Sequence, residues 1–349
     1  MDVRILGPSG LRVSQLCLGT ATFGNRDWGS DAAGSARVLG HFLDLGGNFV
    51  DTANKYADGA SEQILGTLLR GRRDRVVLAS KYTATMDDTD VNGAGNHRKN
   101  LARSLRDSLR RLQTDYLDLL WVHAWDGVTG IEELMRALDD QIRAGTVLSV
   151  GISNAPSWMT AWGNAVAVVR GWSPFVAVQN EYSLLQRGAE RELLPMTRYF
   201  GLAYLAWAPI AQGRLTGKYT AAATSRRLSA QEARMSAEQQ RIIAETLAVA
   251  NEVGCAPAAV ALRWIMQHRP EVIPVVGARS YEQLVENLSC LKLHLTTGQM
   301  NRLTAVSAID LGSPVGFLRS PAGRDFMWGS AATVPPRTAL ATRPWWEAE

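Results

Sequence analysis

Four polar residues stand where apolar segments of the sequence end, and their types suit the protonation of an oxygen atom. DTANKY contains Asp51 and Tyr56, ASKY contains Lys81, and LLWVHAWD contains His123. A buried lysine is costly without a carboxylate partner, and a buried carboxylate is equally costly without a cation. We therefore expect Asp51 and Lys81 to pair. Each residue alone has an ordinary packing explanation, but together they form a candidate catalytic group.

The chemistry of this group follows from its pKa values. An ammonium close to a phenol favours the phenolate, so Lys81 is expected to lower the pKa of Tyr56 from about 10 and make it a general acid. A ring N–H of His123 aimed at the same oxygen would orient and polarise a carbonyl. The four residues therefore predict a site that protonates a carbonyl oxygen, provided that the fold brings them together.

The pattern of strands and helices predicts a fold that brings these four residues together. Short apolar segments alternate with amphipathic segments of helical period, such as Arg98–Leu112 and Ile131–Ala144, which indicates parallel strands wrapped by helices. The predicted strands are Gln15–Gly19, Asn48–Asp51, Arg75–Ser80, Tyr116–His123, Val147–Ser153, Phe175–Gln179, Ala203–Trp207 and Val272–Val276. Eight strands are typical of a (β/α)8 TIM barrel, an α/β fold whose functional residues gather at the carboxyl ends of the strands.

The remaining segments complete a one-domain organisation over residues 1–349, with the barrel at about 14–310. Ile5 to Val13 contains a G-P-S-G turn and predicts a β-hairpin at the barrel floor. Thr83–Asn96 and Gln212–Ser236 exceed ordinary connections, as loops with a functional role do. The tail from Gly312 to Glu349 is expected to pack near the barrel mouth. A Rossmann sheet is the rival fold, but Gly93 and Gly95 lack a third glycine and a preceding strand.

Composition excludes several classes of protein. The chain has 46% hydrophobic and 20% charged residues and a net charge of +4, as a globular protein does. Its densest charge cluster, Arg70 to Arg75, mixes Arg with Asp, which favours a solvated surface over a phosphate or nucleic-acid site. Three cysteines without a CxxC pair indicate a reducing compartment and no metal site. Without a signal peptide or a long apolar run, a cytoplasmic protein that does not bind membranes is expected.

These segments resemble the aldo-keto reductase superfamily from about Ile5 to Leu303. The resemblance implies a catalytic tetrad of Asp51, Tyr56, Lys81 and His123. It also implies NADPH bound in an extended conformation across the barrel mouth. Members that reduce a conjugated carbon–carbon double bond carry Glu in place of the histidine, so His123 favours carbonyl reduction.

The resemblance also implies a set of cofactor-binding residues. CLGTATFG places Gly19, Thr20 and Ala21, with Asp51, at the nicotinamide, and VGISN places Ser153 and Asn154 at its carboxamide with Gln179 beside them. AWAPIAQGRLTGKY implies that Trp207, where many relatives have Tyr, stacks on the nicotinamide. Backbone amides after Trp207 are implied to hold the pyrophosphate, and Lys218 to reach a phosphate. The implied cofactor-binding residues of this segment are Ala208, where many relatives have Ser, Pro209, Ile210, Gln212 and Gly213.

The segment IPVVGARSYEQLVENL resembles the adenosine-binding turn and helix of the family. It implies that Gly277 and Arg279 lie near the ribose 2′-phosphate, with Gln283, Glu286 and Asn287 near adenine. A Gly-X-Arg-Ser turn that enters a helix offers free N–H groups and a guanidinium, which suits a phosphate and favours NADPH over NADH. The alternative is that Arg279 is only a surface residue.

Aromatic residues after three strands suggest a substrate larger than a short-chain aldehyde. Trp28, Tyr82 and Trp125 are the expected substrate walls, whereas Trp158, Trp162 and Trp172 are expected to pack in the core. The first hypothesis is an NADPH-dependent reductase of a small-molecule aldehyde or ketone, with a homo-oligomer left open. The alternatives are a redox-sensing regulatory subunit resembling potassium-channel β subunits and a biosynthetic ketoreductase acting on a nucleotide-activated sugar or another secondary metabolite.

Overall fold

The computed structural model describes residues 1–219, 228 and 234–329. Eight parallel strands close into a barrel in sequence order, with the last strand paired to the first. The barrel strands are β3 (Cys17–Gly19), β4 (Phe49–Asp51), β5 (Val77–Tyr82), β6 (Leu117–Val122), β7 (Val147–Ser153), β8 (Phe175–Glu181), β9 (Ala203–Trp207) and β10 (Val272–Gly277). All eight predicted strands and the TIM barrel are confirmed.

Helices follow the barrel strands and cover the outside of the sheet. They are α1 (Ala32–Asp44), α2 (Ala60–Leu68), α3 (Arg98–Leu112), α4 (Ile131–Arg143), α5 (Ser157–Arg170), α6 (Leu193–Phe200), α7 (Ala237–Val253), α8 (Pro257–His268), α9 (Tyr281–Leu288), α10 (Thr297–Val306), α11 (Val315–Arg319) and α12 (Pro321–Trp328). In α3, which has the predicted bounds, Leu101, Leu105 and Leu112 are buried at helical spacing. The predicted helix ending at Ala144 ends one residue earlier.

Side chains of the barrel strands point alternately into the barrel and out to the helices. In β5, Ala79 belongs to the barrel interior, whereas Leu78 and Tyr82 pack in the cluster between strands and helices. Trp121 fills the interior, and a side chain on the neighbouring Gly151 would collide with its ring. The interior is therefore a packed core, and function is left to the strand ends.

The floor of the barrel is covered by the predicted hairpin, whose strands are β1 (Val3–Ile5) and β2 (Arg12–Ser14). Leu6 and Val13 are fully buried in the barrel-interior cluster. A side chain at Gly7, where φ is +54°, would collide with a backbone carbonyl of β8. The hairpin thus seals the amino-terminal ends of the strands.

The three long segments differ from one another. Thr83–Asn96 is an irregular loop, and the amide of Asn96 donates to Thr83 Oγ1 and to the Ala124 carbonyl, both at 2.9 Å. Gln212–Ser236 begins in a 3-10 helix over Ala211–Thr216, but residues 220–227 and 229–233 lie outside the described residues. The tail contains α11 and α12, and its part from 330 to 349 also lies outside them. In the described part of the chain, no helix has the length and apolarity needed to cross a membrane.

Candidate active site

The centre of the site is the pair of Asp51 and Lys81, which is buried as expected. Lys81 Nζ donates to Asp51 Oδ2, to the Thr52 carbonyl at 2.9 Å and to Tyr56 Oη at 3.2 Å. The other oxygen of Asp51 accepts a hydrogen bond from Gln179 Nε2 at 3.3 Å. Because the lysine side chain has no exposed surface, its charge is balanced by these partners alone.

Tyr56 stands in a 3-10 turn between β4 and α2, and its backbone is unusual. Ala57 and Asp58 both have φ of +49°, and Gly59 has φ of +92°. Residues other than glycine seldom adopt this left-handed conformation, so the turn depends on its surroundings to stay formed. The turn directs the Tyr56 hydroxyl at Lys81 and into the barrel mouth.

The expected lowering of the Tyr56 pKa is wrong in direction. Burial raises the pKa of Tyr56 above its ordinary value of 10.0, and the charge and hydrogen bond of Lys81 only partly oppose this. The reason is that the free energy lost when a phenolate is removed from water exceeds the free energy gained from one nearby ammonium. The phenol therefore keeps its proton at neutral pH, which is the form that a proton donor needs.

His123 lies opposite Tyr56 and is neutral. The two ring centroids are 6.1 Å apart at an interplanar angle of 85°. Burial, helped by the charge of Lys81, lowers the pKa of His123 to about 3. Its Nδ1 atom is buried and has no hydrogen-bond partner among the described residues. A neutral imidazole donates one N–H, so His123 can bind an oxygen without carrying a charge.

Asn154 holds the wall beside His123 together. Its side-chain amide donates to the His123 carbonyl at 2.9 Å and to Ser153 Oγ at 3.0 Å. Its carbonyl Oδ1 accepts a hydrogen bond from Trp207 Nε1 at 3.2 Å. One residue, with φ of +48°, thus connects the ends of β6, β7 and β9.

A cavity of about 390 Å³ opens at these strand ends. The structure brings most of the predicted residues together around it. The predicted residues that line it are Gly19, Ala21, Asp51, Tyr56, His123, Ser153, Asn154, Gln179, Trp207, Ala208, Pro209, Ile210, Gln212, Gly277 and Asn287. Lys81 lies behind Asp51 and Tyr56.

Other predicted cofactor residues lie outside this lining. Thr20 is fully buried, and its hydroxyl donates to the Asp51 carbonyl at 3.0 Å, so it braces the strand ends. Gly213 is buried in the 3-10 helix after β9, and Lys218 follows that helix with its Nζ atom 5.1 Å from the Tyr219 ring centroid. Arg279 and Glu286 are exposed on the turn and helix after β10, where the Gln283 side chain accepts a hydrogen bond from the Arg279 amide at 3.2 Å.

The prediction of Tyr82 as a substrate wall is wrong. Only 1% of it is exposed, and its hydroxyl donates to the Asn96 carbonyl at 3.2 Å. Since Lys81 points into the barrel, strand alternation turns Tyr82 outward beneath the helices. Trp28 and Trp125 are half-buried outside the cavity lining formed by the described residues.

The tryptophans expected in the core also differ from expectation. Trp158 and Trp162 on α5 are 53% and 48% exposed, so their placement in the core is wrong. Trp172 is half-buried and packs against the main core as expected.

Sequence reasoning missed four residues of the cavity wall. These are Thr22, Leu262, Val275 and Val276. The hydroxyl of Thr22 donates to the Ala278 carbonyl at 2.8 Å and ties the loop after β3 to the end of β10. Thr22 lies one residue beyond the predicted Ala21 and could have been included. The three aliphatic residues could not be recognised as wall residues from the sequence, because aliphatic side chains have no polar or reactive group.

Comparison with known proteins gives a consistent set of similarities. A sequence model of the aldo/keto reductase family matches residues 15–308. Norsolorinic acid reductase A of Aspergillus parasiticus is 37% identical over 328 residues, covering 90% of this chain and 83% of that protein. A putative aryl-alcohol dehydrogenase of Saccharomyces cerevisiae is 35% identical over 335 residues, covering 89% and 88%. An aldo-keto reductase of Aspergillus calidoustus is 35% identical over 332 residues, covering 89% and 83%.

Proposed function

The chain belongs to the aldo/keto reductase family of oxidoreductases, and on this basis we propose that it reduces an aldehyde or ketone to an alcohol with NADPH. The observation that carries the proposal is the arrangement around Tyr56. Its hydroxyl accepts a hydrogen bond from a buried Lys81 that is paired with Asp51, and it faces His123 across one cavity. This arrangement protonates an oxygen placed between the two rings.

The residues around the cavity fit a nicotinamide dinucleotide. The lining combines the amide side chains of Asn154 and Gln179, which can bind a carboxamide, with the flat indole of Trp207, on which a ring can stack. The buried Nδ1 of His123 lacks a partner among the described residues, as a site that awaits a ligand would leave it. When bound, the cofactor supplies the hydride.

The protein residues supply the proton and position the carbonyl. Tyr56 holds its proton at neutral pH and donates it to the carbonyl oxygen, while the ammonium of Lys81 stabilises the phenolate that remains. Asp51 and Gln179 keep Lys81 in place. Neutral His123 offers a hydrogen bond to the same oxygen, which polarises the carbonyl and orients its reacting face.

The experiment is loss of NADPH absorbance by purified protein with aromatic aldehydes, ketones and keto-sugars, compared with Tyr56→Phe. The variant removes the proton donor and leaves the cavity in place. We expect kcat to fall by about 100- to 10,000-fold. NADPH binding, measured by fluorescence titration, should stay within about threefold, since the phenol oxygen is a transition-state contact.

Two outcomes would contradict parts of this proposal. Full activity of Tyr56→Phe on a substrate that the wild type reduces would remove Tyr56 from the mechanism. Tight NADPH binding without turnover of any compound in the panel would move support to the redox-sensing alternative.

A further inference from the structure

Three tryptophans outside the cavity lining form a continuous strip. The strip consists of Trp125, Trp158 and Trp162. The rings of Trp125 and Trp158 meet edge to face with centroids 5.2 Å apart, and those of Trp158 and Trp162 stack at 28° with centroids 6.4 Å apart. About half of each of the two α5 indoles is exposed. Exposed, ordered aromatic surface of this kind is typical of binding sites.

The strip starts at the candidate active site. Trp125 is two residues after His123, and its backbone N–H donates to the Asn154 carbonyl at 3.5 Å. Trp158 is in the first turn of α5, which follows the cavity-lining residues Ser153 and Asn154. The tryptophan strip therefore continues outward from the wall that contains His123.

The chemistry of the strip selects an uncharged, flat ligand. From Ser157 to Val169, α5 has no charged residue, and its exposed large side chains are the indoles of Trp158 and Trp162 and, farther along the helix, Val168 and Val169. The strip lies beyond the cavity lining, so a one-ring carbonyl compound held between Tyr56 and His123 would not reach it. Only a substrate that extends past the cavity contacts both places.

We propose that the tryptophan strip is an outer subsite that binds the distal rings of a fused-ring aromatic aldehyde or ketone while its carbonyl lies between Tyr56 and His123. This assignment rests on the proposed function, because it names the substrate class of that site. A second copy of the chain is a weaker occupant: two half-exposed indoles offer about 200 Å², against about 800 Å² per partner in a stable interface.

The same helix provides the control. Val169 is 84% exposed and apolar, and it lies eleven residues beyond Trp158, about 17 Å farther along α5. Val169→Ala thus changes exposed apolar surface on this helix without touching the strip. Tyr199→Ala removes an aromatic ring that is 73% exposed on α6 and controls for loss of any surface aromatic.

The kinetic test compares benzaldehyde with anthracene-2-carbaldehyde, whose second and third rings extend away from the carbonyl, using NADPH and the full chain. For Trp158→Ala we expect KM for the three-ring aldehyde to rise about tenfold, as the loss of one aromatic contact predicts. Its kcat, and both constants for benzaldehyde, should stay within about twofold. Both controls should match the wild type. Equal losses on the two aldehydes, or no loss on the larger one, would overturn the proposal.

A binding test separates failure of this proposal from failure of the proposed function. 2-(Hydroxymethyl)anthracene is uncharged and has the same ring system without a reducible carbonyl, and its fluorescence anisotropy reports binding to the NADPH-loaded protein. Weaker binding to Trp158→Ala than to Val169→Ala supports the subsite even if neither aldehyde turns over. Equal binding to both variants overturns it. So does size-exclusion chromatography that shows Trp158→Ala dissociating a wild-type oligomer while KM rises equally for both aldehydes.

Discussion

At the scale of single residues, the site is controlled by the cost of burying charge. Lys81 keeps its charge because Asp51 pairs with it. Burial keeps both Tyr56 and His123 neutral at physiological pH. A neutral phenol and a neutral imidazole facing one cavity can give hydrogen bonds and a proton to an oxygen. Neither group places a net charge next to an uncharged carbonyl compound.

The raised pKa of Tyr56 predicts the pH dependence of both directions of the reaction. Reduction needs the protonated phenol, so its rate is full below the pKa and falls as pH rises through it. Because that pKa lies above 10.0, kcat for reduction should be flat from about pH 7 to about pH 9. Alcohol oxidation, which needs the phenolate, should rise across this range. A reductive rate that halves near pH 7.5 would contradict the assignment.

Arg279 carries the proposed preference for NADPH. It is exposed at the turn before α9, where it can pair with a ribose 2′-phosphate that NADH lacks. Arg279→Ala should weaken NADPH binding about 10- to 100-fold, the value of a charged hydrogen bond, and leave NADH binding unchanged. Fluorescence titration with both nucleotides measures this. Equal weakening of NADPH and NADH binding would mean that Arg279 does not bind the 2′-phosphate and is only a surface residue.

The sequence predicted residue types better than residue directions. Asp51, Tyr56, Lys81 and His123 were found because charged and polar groups at the ends of apolar strands need an explanation. Tyr82 was misplaced, since its neighbour Lys81 already occupies the inward direction. The sign of the Tyr56 pKa shift also could not be predicted, because burial and the charge of Lys81 compete and their balance depends on geometry.

At the scale of elements, a buried ion pair joins the segment after Tyr56 to the strand that carries Lys81. Glu62 on α2 is fully buried and accepts hydrogen bonds from Ser80 on β5 and from Arg111 Nε on α3 at 2.7 Å. A side chain at Gly59 would crowd Arg111 at 2.9 Å. Glu62, three residues beyond the left-handed turn, therefore ties α2 to β5 and to α3.

Loss of this pair should be costly. Glu62→Ala leaves a largely buried guanidinium without its carboxylate, so the free energy of unfolding should fall by about 3–5 kcal/mol in urea denaturation. The matched control is Glu282→Ala, which breaks an ion pair with Arg37. In this pair the side chain of Arg37 is 65% exposed and that of Glu282 is 68% exposed. The control should leave the unfolding curve unchanged. Similar losses of unfolding free energy in the two variants would show that burial does not determine how much an ion pair contributes to stability.

Element positions were predictable where one face of the chain is buried. All eight barrel strands and α3 follow from apolar period, because a wrong register would expose the core. The exposed tryptophans of α5 were not predictable in this way. Aromatic residues usually fill cores, and Trp158 and Trp162 carry no sign in the sequence that they face outward.

At the scale of the whole molecule, a polar cluster connects the segment after β8 to α10. Glu190, in the segment after β8, accepts hydrogen bonds from Tyr182 Oη at 2.6 Å and Arg187 Nε at 2.8 Å. Arg187 also donates to the carbonyl of Thr304 on α10 at 2.8 Å. Burial alone would raise the pKa of Glu190, but hydrogen bonds from His268, Arg187 and Tyr182 hold it well below its ordinary value of 4.5.

This lowered pKa predicts acid sensitivity. Stability from Glu190 is present above its unfolded pKa of about 4.5 and is lost as pH falls through the folded value. Glu190→Gln should lower Tm at pH 7 and lose less further stability than the wild type between about pH 5 and about pH 3. Thermal unfolding at several pH values tests this. Parallel Tm curves for the two proteins would exclude Glu190 as a source of the acid response.

The sealed floor has a consequence for how molecules reach the site. With Leu6 and Val13 filling the amino-terminal end of the barrel, molecules reach Tyr56 from the side of the mouth, and those bound there leave by the same route. For the proposed reductase, cofactor and substrate would therefore enter and leave on the same side of the barrel. The hairpin lies far from the chemistry, and its contribution is to leave the mouth as the side from which the proposed site is reached.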